Sequence, residues 1–512
     1  MGFITLLLLC LSTLIITLLV CLVCYVKSVK RYFENRGMPF DGPSLSLTSL
    51  IPSAPVQNSF SSILADLYTK NKEHKVVGYL SLWKKKVLIV DLNVIRDVLL
   101  KDFDMFQDRG LYYNKEVDPL SAHIFALAGQ EWKMTRAKMS PTFSSGKMKG
   151  MFSIIVECAK VMIKVAEQLS SNNKSVDCQT LFSRYGLAVI SNTSFGLDSD
   201  ALTNEDSRFV KMANKLFAPT AERILTALLR FNNDVARLFK MKVTPPDVSD
   251  FFISLVMDAI KYREANSVVR NDYLQLLIQL RDSGSLGTED AKLKFSDMEV
   301  AAEAFVFIVA GSETTSRAMS FCLYELAMNP AIQARLLEEV DSLREISYDS
   351  ITNLEYLDMV VDETLRKYPP VAFLVRESSQ DYQIAGTKIV IEKGTQVLIS
   401  VQGLHYDPDL FADPERFIPE RFSKENKVNI KPYSYMPFGE GPRFCIGQRF
   451  GKMTVKTGLA MLLRKFQVHR SSSTPETIKF HPRTVITTAL GGIWLKLKDR
   501  SSGETVDLED DS

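Results

Sequence analysis

Histidine and cysteine are scarce in this chain, at five and seven among 512 residues. His74, His123, His405, His469 and His481 form no ligand-like cluster, which argues against a metal held by histidines. Cys10, Cys21 and Cys24 fall in one apolar run, and Cys158, Cys178, Cys322 and Cys445 are scattered. That spacing suits a reducing compartment, and no disulfide framework is expected. Excess charge is missing too: 62 basic residues against 60 acidic ones leave a net charge of +2, which speaks against a nucleic-acid binder. No internal repeat is present, and no interdomain linker follows residue 58.

What the chain does have begins with a long apolar stretch. Thr5 to Val26 is uncharged and, at about 1.5 Å per residue, long enough to cross a bilayer. Lys27, Lys30 and Arg31 follow, with no basic residue ahead, so the positive-inside bias places everything after residue 27 in the cytosol. A cleaved signal peptide fits less well, because the stretch exceeds a usual h-region and lacks a basic n-region and a clear cleavage site. On a cytosolic face the acceptor sequences Asn173-Lys-Ser and Asn192-Thr-Ser would stay bare. The reading divides the chain into an anchor at 1–26, a basic, Pro- and Gly-containing hinge at 27–58, a catalytic domain at 59–500 and an acidic, disordered tail at 501–512. Strand-like runs occur at Val76–Leu82, Lys86–Val90, Lys388–Ile391 and Gln396–Val401. Helical periods dominate from about residue 120 to 345.

Four strings stand out for chemistry. Phe438-Gly-Glu-Gly-Pro-Arg-Phe-Cys-Ile-Gly447 sets a lone cysteine in a Gly-rich loop opening into an apolar-periodic segment, Ile446–Leu463. A thiolate ligand needs N–H donors, a helix N-terminus and a nearby cation. Gly439, Gly441 and Gly447 allow a tight loop against a flat macrocycle, and Arg443 supplies the guanidinium. The plainer alternative is a buried structural cysteine. Ser296-Asp-Met-Glu299 is a capping box opening a helix of about 48 Å that runs to Asn329-Pro330, with the polar cluster Ala310-Gly-Ser-Glu-Thr-Thr315 in its middle. The plainer alternative there is a Gly311 that serves only a helix crossing and a Thr314 that bonds only to its own helix. Glu363-Thr-Leu-Arg366 puts opposite charges one turn apart on an amphipathic helix, and Pro419-Glu-Arg-Phe422 adds another arginine. Trp132-Lys-Met-Thr-Arg136 puts an indole donor and a guanidinium on one helical face.

In order and spacing these strings resemble the cytochrome P-450 family of haem-thiolate monooxygenases, most of all its microsomal branch of arthropod detoxification and vertebrate drug- and steroid-metabolising enzymes. The hinge departs from the family's Pro-Pro-Gly-Pro run, reading Met38-Pro-Phe-Asp-Gly-Pro43. The resemblance implies a mainly α fold with small β-sheets, in one large domain behind an N-terminal transmembrane anchor. It implies haem b with Cys445 as axial ligand of the iron, Phe438 and Gly447 in the cradle, and Arg443, Trp132, Arg136 and Arg376 on the propionates. Ala310 and Gly311 would make room for dioxygen, Thr314 would hydrogen-bond it, and Glu313 would relay protons. Glu363, Arg366 and Arg421 would lock the cysteine loop.

The same resemblance implies a single-pass protein of the endoplasmic reticulum. It would take electrons from NADPH through a flavoprotein reductase, with cytochrome b5 as a candidate second donor, and use O₂ to hydroxylate or epoxidise small hydrophobic molecules: xenobiotics, steroids or fatty acids. Candidate substrate contacts are Phe125, Phe305, Phe307, Val371, Phe373 and Leu490, each as readily read as plain core. Phe209–Val243 reads as a membrane-dipping element or a solvated helix pair. Lys133, Lys138, Arg449, Lys452 and Lys456 offer a basic patch to an acidic electron donor. The rival readings are a reductase-independent peroxide isomerase or dehydratase, against which Glu313-Thr314 argues, and a non-catalytic haem-binding membrane protein.

Overall fold

The computed structural model describes residues 2–43, 59–81, 83–217, 233–284 and 294–502. The remainder of the hinge (44–58), residues 218–232 of the possible membrane-dipping element and the acidic end of the tail (503–512) lie outside the described residues.

Helix α1, Gly2–Glu34, continues through the basic cluster rather than stopping at Val26. Its apolar part is exposed on all sides and is long enough to cross a bilayer. Only its last turns dock on the domain. Phe33 is buried over Gly78, where a Cβ would fall 2.3 Å from its ring, and Tyr32 donates to Glu392 at 2.6 Å.

A five-stranded sheet receives this end of the helix. Its strands are β1 (Phe40–Pro43), β2 (Val76–Ser81), β3 (Lys84–Ile89), β5 (Phe373–Glu377) and β8 (Gln396–Ser400), in the order β1-β2-β3-β8-β5. Smaller sheets join β4 (Ser175–Asp177), β10 (Trp494–Asp499) and β9 (Phe466–Arg470), and β6 (Tyr382–Gln383) with β7 (Val390–Ile391). The expected strand at Lys388–Ile391 shrinks to the two residues of β7.

The rest is helical: α2 (Gly129–Met139), α3 (Ser145–Ser170), α4 (Cys178–Ser194), α5 (Pro246–Asn266), α6 (Tyr273–Ser283), α7 (Asp297–Met328), α8 (Glu355–Lys367) and α9 (Gln448–Lys465) build the main layer. Apolar residues fall into two clusters, one around the helices and one around the five-stranded sheet. The central α7 is fixed at its start by a reciprocal capping box: Glu299 N–H donates to Ser296 Oγ at 3.2 Å and Ser296 N–H to Glu299 Oε2 at 2.8 Å. It crosses α4 at two glycines. A Cβ at Gly311 would fall 2.7 Å from Ile190 Cδ1, and one at Gly186 2.6 Å from Ser312 O. The helices could not pack so closely with any larger residue.

Candidate active site

The cysteine loop closes through Cys445 N–H donating to Phe438 O at 2.8 Å. Gly441, at φ 72°, presses on the neighbouring segment so tightly that a Cβ would fall 1.9 Å from Leu99 O. Helix α9 starts three residues after the cysteine, with Gly447 as its N-cap, later than the Ile446 start expected from periodicity. Cys158, Cys178 and Cys322 are buried, whereas Cys445 is solvent-accessible. It lies deep enough for desolvation to raise its pKa, opposed by the Gly447 backbone and by the charges of Arg136 and Arg109. A thiol both open and desolvated stands at the bottom of a recess.

Four guanidinium groups surround that recess. Arg443 is buried against Trp132, 3.9 Å from its ring. It donates to Gln107 O at 2.9 Å, Leu127 O at 2.7 Å, Ile124 O at 3.3 Å and Asp108 Oδ1 at 3.4 Å. Burial pushes its pKa down to about 9, with Arg376 and Arg136 adding to the fall and Asp108 opposing it. Arg376, 2% exposed, donates to Val375 O at 2.8 Å and keeps a buried Nε without a partner. Burial pushes it down to about 10. Arg136 is half-buried, 4.7 Å from the Phe444 ring. The fourth, Arg109, donates to Phe125 O at 2.9 Å and Arg443 O at 3.3 Å, and burial followed by the other three arginines drives its pKa far down. Sequence reading missed Arg109, because the turn Asp108-Arg109-Gly110 has no spacing relation to the other three.

Among the described residues, Arg443 is the one of the four that meets a carboxylate, Asp108 at 3.4 Å. Like charges crowd together in a desolvated place only where an anion belongs among them. Two propionates beside an accessible thiol meet that requirement, and the orphaned Arg376 Nε is a donor still waiting for one. The residues present therefore fit haem.

Burial along α7 is interrupted between Phe307 and Thr314, with Ala310 exposed. Phe307 lies 6.2 Å from Phe450 of α9 and 5.5 Å from Phe143, so this open stretch neighbours the cysteine loop. Thr314 Oγ1 donates to Ala310 O at 2.5 Å, a back-bond that leaves its lone pairs free to accept. Gly311 serves the crossing with α4. Glu313 is buried and turned to α4 as well, accepting from Ser183 Oγ at 2.8 Å and pairing with Arg317.

Glu363 and Arg366 of α8 are both fully buried and joined by Nε–Oε2 at 2.7 Å and Nη2–Oε1 at 3.0 Å. Arg421 adds a contact to Oε1 at 3.3 Å, and Ile418 N–H another at 2.9 Å. Arg366 also donates to His405 O, Pro414 O and Arg416 O at 2.9, 2.8 and 3.2 Å. His405, a second residue the sequence did not single out, accepts Met436 N–H on Nε2 at 3.0 Å. Its Nδ1 therefore donates to Arg366 O at 2.9 Å. Burial and Arg366 push its pKa down to about 3, so a neutral imidazole ties the ion pair to the segment leading into the cysteine loop.

The six apolar candidates divide. Phe125, Val371 and Leu490 are exposed, and Phe373 is half-buried, edge-on to Phe60 at 5.1 Å. Phe305 instead packs on Phe252 at 5.6 Å, and Phe307 stacks on Tyr273 at 3.8 Å; both serve the aromatic core. The basic patch also needs correction. Lys456 is buried, donating to Thr352 O and Leu354 O at 3.1 Å, and Lys452 is held by Asp362 at 2.8 Å and Asp358 at 3.1 Å. Both brace α9 against α8. Phe209 likewise joins the core beside Phe195 and Phe252.

The cytochrome P-450 family model matches residues 42–495. Similar curated proteins include the probable cytochrome P-450 6a14 of Drosophila melanogaster, 37% identical over 484 residues that cover 91% of this chain and 95% of that protein. Cytochrome P-450 6a2 of the same fly is 37% identical over 482 residues, covering 91% and 95%. Cytochrome P-450 6A1 of Musca domestica is 36% identical over 478 residues, covering 91% and 93%.

Proposed function

The chain belongs to the cytochrome P-450 family of monooxygenases, and from that membership we propose that it hydroxylates or epoxidises small hydrophobic molecules, drawing electrons from NADPH through a flavoprotein reductase. The observation that carries the reading is the accessible Cys445 thiol beside four arginines of which, among the described residues, Arg443 alone meets a carboxylate. Cys445 would hold the iron, and Arg109, Arg136, Arg376 and Arg443 the propionates. Haem, when bound, supplies the electron-transfer and O₂ chemistry.

The protein's part is to place, shield and move protons. Phe125, Val371, Phe373 and Leu490 exclude water and hold an apolar substrate. Ala310 leaves space on α7, and the Thr314 hydroxyl, by turning away from Ala310 O, can donate a proton into that space. Glu313 can relay one only by way of Ser183 or by giving up Arg317. Membrane attachment would be through α1. Tyr25 on that helix donates to Trp83 O at 2.6 Å, which brings the exposed Trp83 at the β2–β3 turn to the anchor. Leu238 and Phe239, 77% and 71% exposed, supply a second apolar contact suited to the interface. A cytosolic face of the endoplasmic reticulum, with cytochrome b5 as a further donor, completes the proposal.

The test is the carbon-monoxide difference spectrum of dithionite-reduced membranes beside a Cys445→Ser control. A strongly red-shifted Soret band lost in the control supports the reading, and NADPH-dependent turnover of an apolar substrate panel with added reductase carries it to activity. Folded, haem-supplied protein without that band overturns it.

A further inference from the structure

One carboxylic acid on α7 has no part in the site described so far. Glu303 is 2% exposed. Its Oε1 accepts the Ile124 N–H at 2.8 Å, and its Oε2 is buried with no partner. The next residue back along the chain, His123, also holds a buried and unpartnered nitrogen, Nδ1.

The segment that Glu303 grips is the one that holds the arginines. Its amide at Ile124 goes to α7, while its carbonyls receive Arg443 at Ile124 and Leu127 and Arg109 at Phe125. The Phe125 ring, 47% exposed, lies 4.2 Å from the Arg109 guanidinium. One carboxyl thus joins the central helix to the wall of the recess and, through it, to two of the four cations.

We propose that Glu303 is the positioning residue of segment 119–127, a proton-dependent latch that keeps Phe125 and the carbonyls holding Arg109 and Arg443 in place. The latch itself rests on these hydrogen bonds; its consequence for the site rests on the function proposed above. The groups around Glu303 favour its neutral form. Burial raises its pKa to about 8, against the opposing pull of the Ile124 N–H, and Glu299 on its own helix adds a like charge. From α6 comes Tyr273, an uncharged phenol whose own pKa burial and Glu303 drive up. On the gripped segment His123 is pushed down to about 4 by burial, with its own backbone opposing and Arg109 adding to the fall. Asp118, on the same segment, accepts the Val243 and Thr244 amides on Oδ2 at 2.8 Å and keeps a buried Oδ1 without a partner.

The sign follows from linkage. A carboxyl that titrates near 8 when latched and near its ordinary 4.5 when released binds more protons latched. The latch is therefore at full strength below about pH 4.5, weakens by up to about tenfold per pH unit above it, and levels off beyond about pH 8.

Hydrogen exchange of peptides covering residues 119–127, expressed as protection over the intrinsic rate, tests this in the full-length protein from pH 5.5 to 9. Wild type should lose protection at close to tenfold per unit up to about pH 8 and then flatten. Glu303→Gln keeps an acceptor for Ile124 and gains a permanent donor, so its protection should stay high and independent of pH. Glu303→Leu should be poorly protected throughout. Parallel wild-type and Glu303→Gln profiles would overturn the latch, and that pair decides the matter even if Glu303→Leu does not fold. The carbon-monoxide band is scored on the same samples: a latch that fails while the band persists leaves the proposed function standing, and a missing band with an intact pH profile does the reverse.

Discussion

Replacing Glu363 by alanine should cost more than any other single change in α8. Its carboxylate takes four hydrogen bonds, two from Arg366 and one each from Arg421 and the Ile418 amide, with no exposure of either Glu363 or Arg366. In the variant Arg366 keeps three carbonyl acceptors for its terminal nitrogens, but its Nε–H loses the acceptor it has in Glu363 and its charge loses its partner. Breaking a buried pair in this way costs about 3–5 kcal/mol, a large part of a total stability of about 5–15 kcal/mol. Arg421 retains some exposure and sits farther from the carboxylate, at 3.3 Å, so Arg421→Ala should cost about 1 kcal/mol. Glu363→Gln, with one oxygen left to accept, should fall between. Because Arg366 reaches Met436 through His405, the damage should pass to the cysteine loop. Denaturant midpoints and the fraction of protein carrying haem at saturating haem supply are the readouts. Equal losses for Glu363→Ala and Arg421→Ala, or a Glu363→Ala protein unchanged in both, would refute the argument from buried charge.

Gly441→Ala should lose the red-shifted carbon-monoxide band nearly as completely as Cys445→Ser, although the thiol remains, because its Cβ would meet Leu99 O at 1.9 Å. Gly439→Ala, with its nearest contact at 3.5 Å, should keep the band at a cost of about 1–2 kcal/mol from its positive φ, seen as a lowered denaturant midpoint. Thr314→Ala should consume NADPH with severalfold less product per electron pair, and Thr314→Ser should recover the ratio. Lys133→Glu should leave haem content unchanged, since this exposed residue pairs only weakly with exposed Asp104, and slow reduction by the donor in stopped-flow traces. Lys456→Glu should instead lower stability and haem content together, because it buries a charge of the wrong sign against the Thr352 and Leu354 carbonyls.

How much was legible in the sequence depends on whether the partners are close along the chain. The capping box of Ser296 and Glu299, the start of α7 and the pairing of Glu363 with Arg366 all join residues three apart, so spacing alone carried them. Periodicity marks which residues are apolar but not which neighbour they meet: Phe305 and Phe307 read equally as pocket wall or core until Phe252 and Tyr273 are seen against them. It also cannot separate a surface lysine from Lys456, whose burial is set by α8 and the residues before it. Arg109, His405 and Glu303 were missed because their partners lie 179 residues away for Glu303, 39 for His405 and as far as 334 for Arg109. Charge balance, unlike spacing, is a property of a place and not of a string. Arg366 and the four arginines of the recess make the contrast plain. Arg366 shares its space with a fully buried carboxylate and needs nothing further. The recess gathers four guanidinium groups of which, among the described residues, Arg443 alone meets a carboxylate, Asp108, and the deficit of negative charge there records a ligand whose acid groups those residues do not supply.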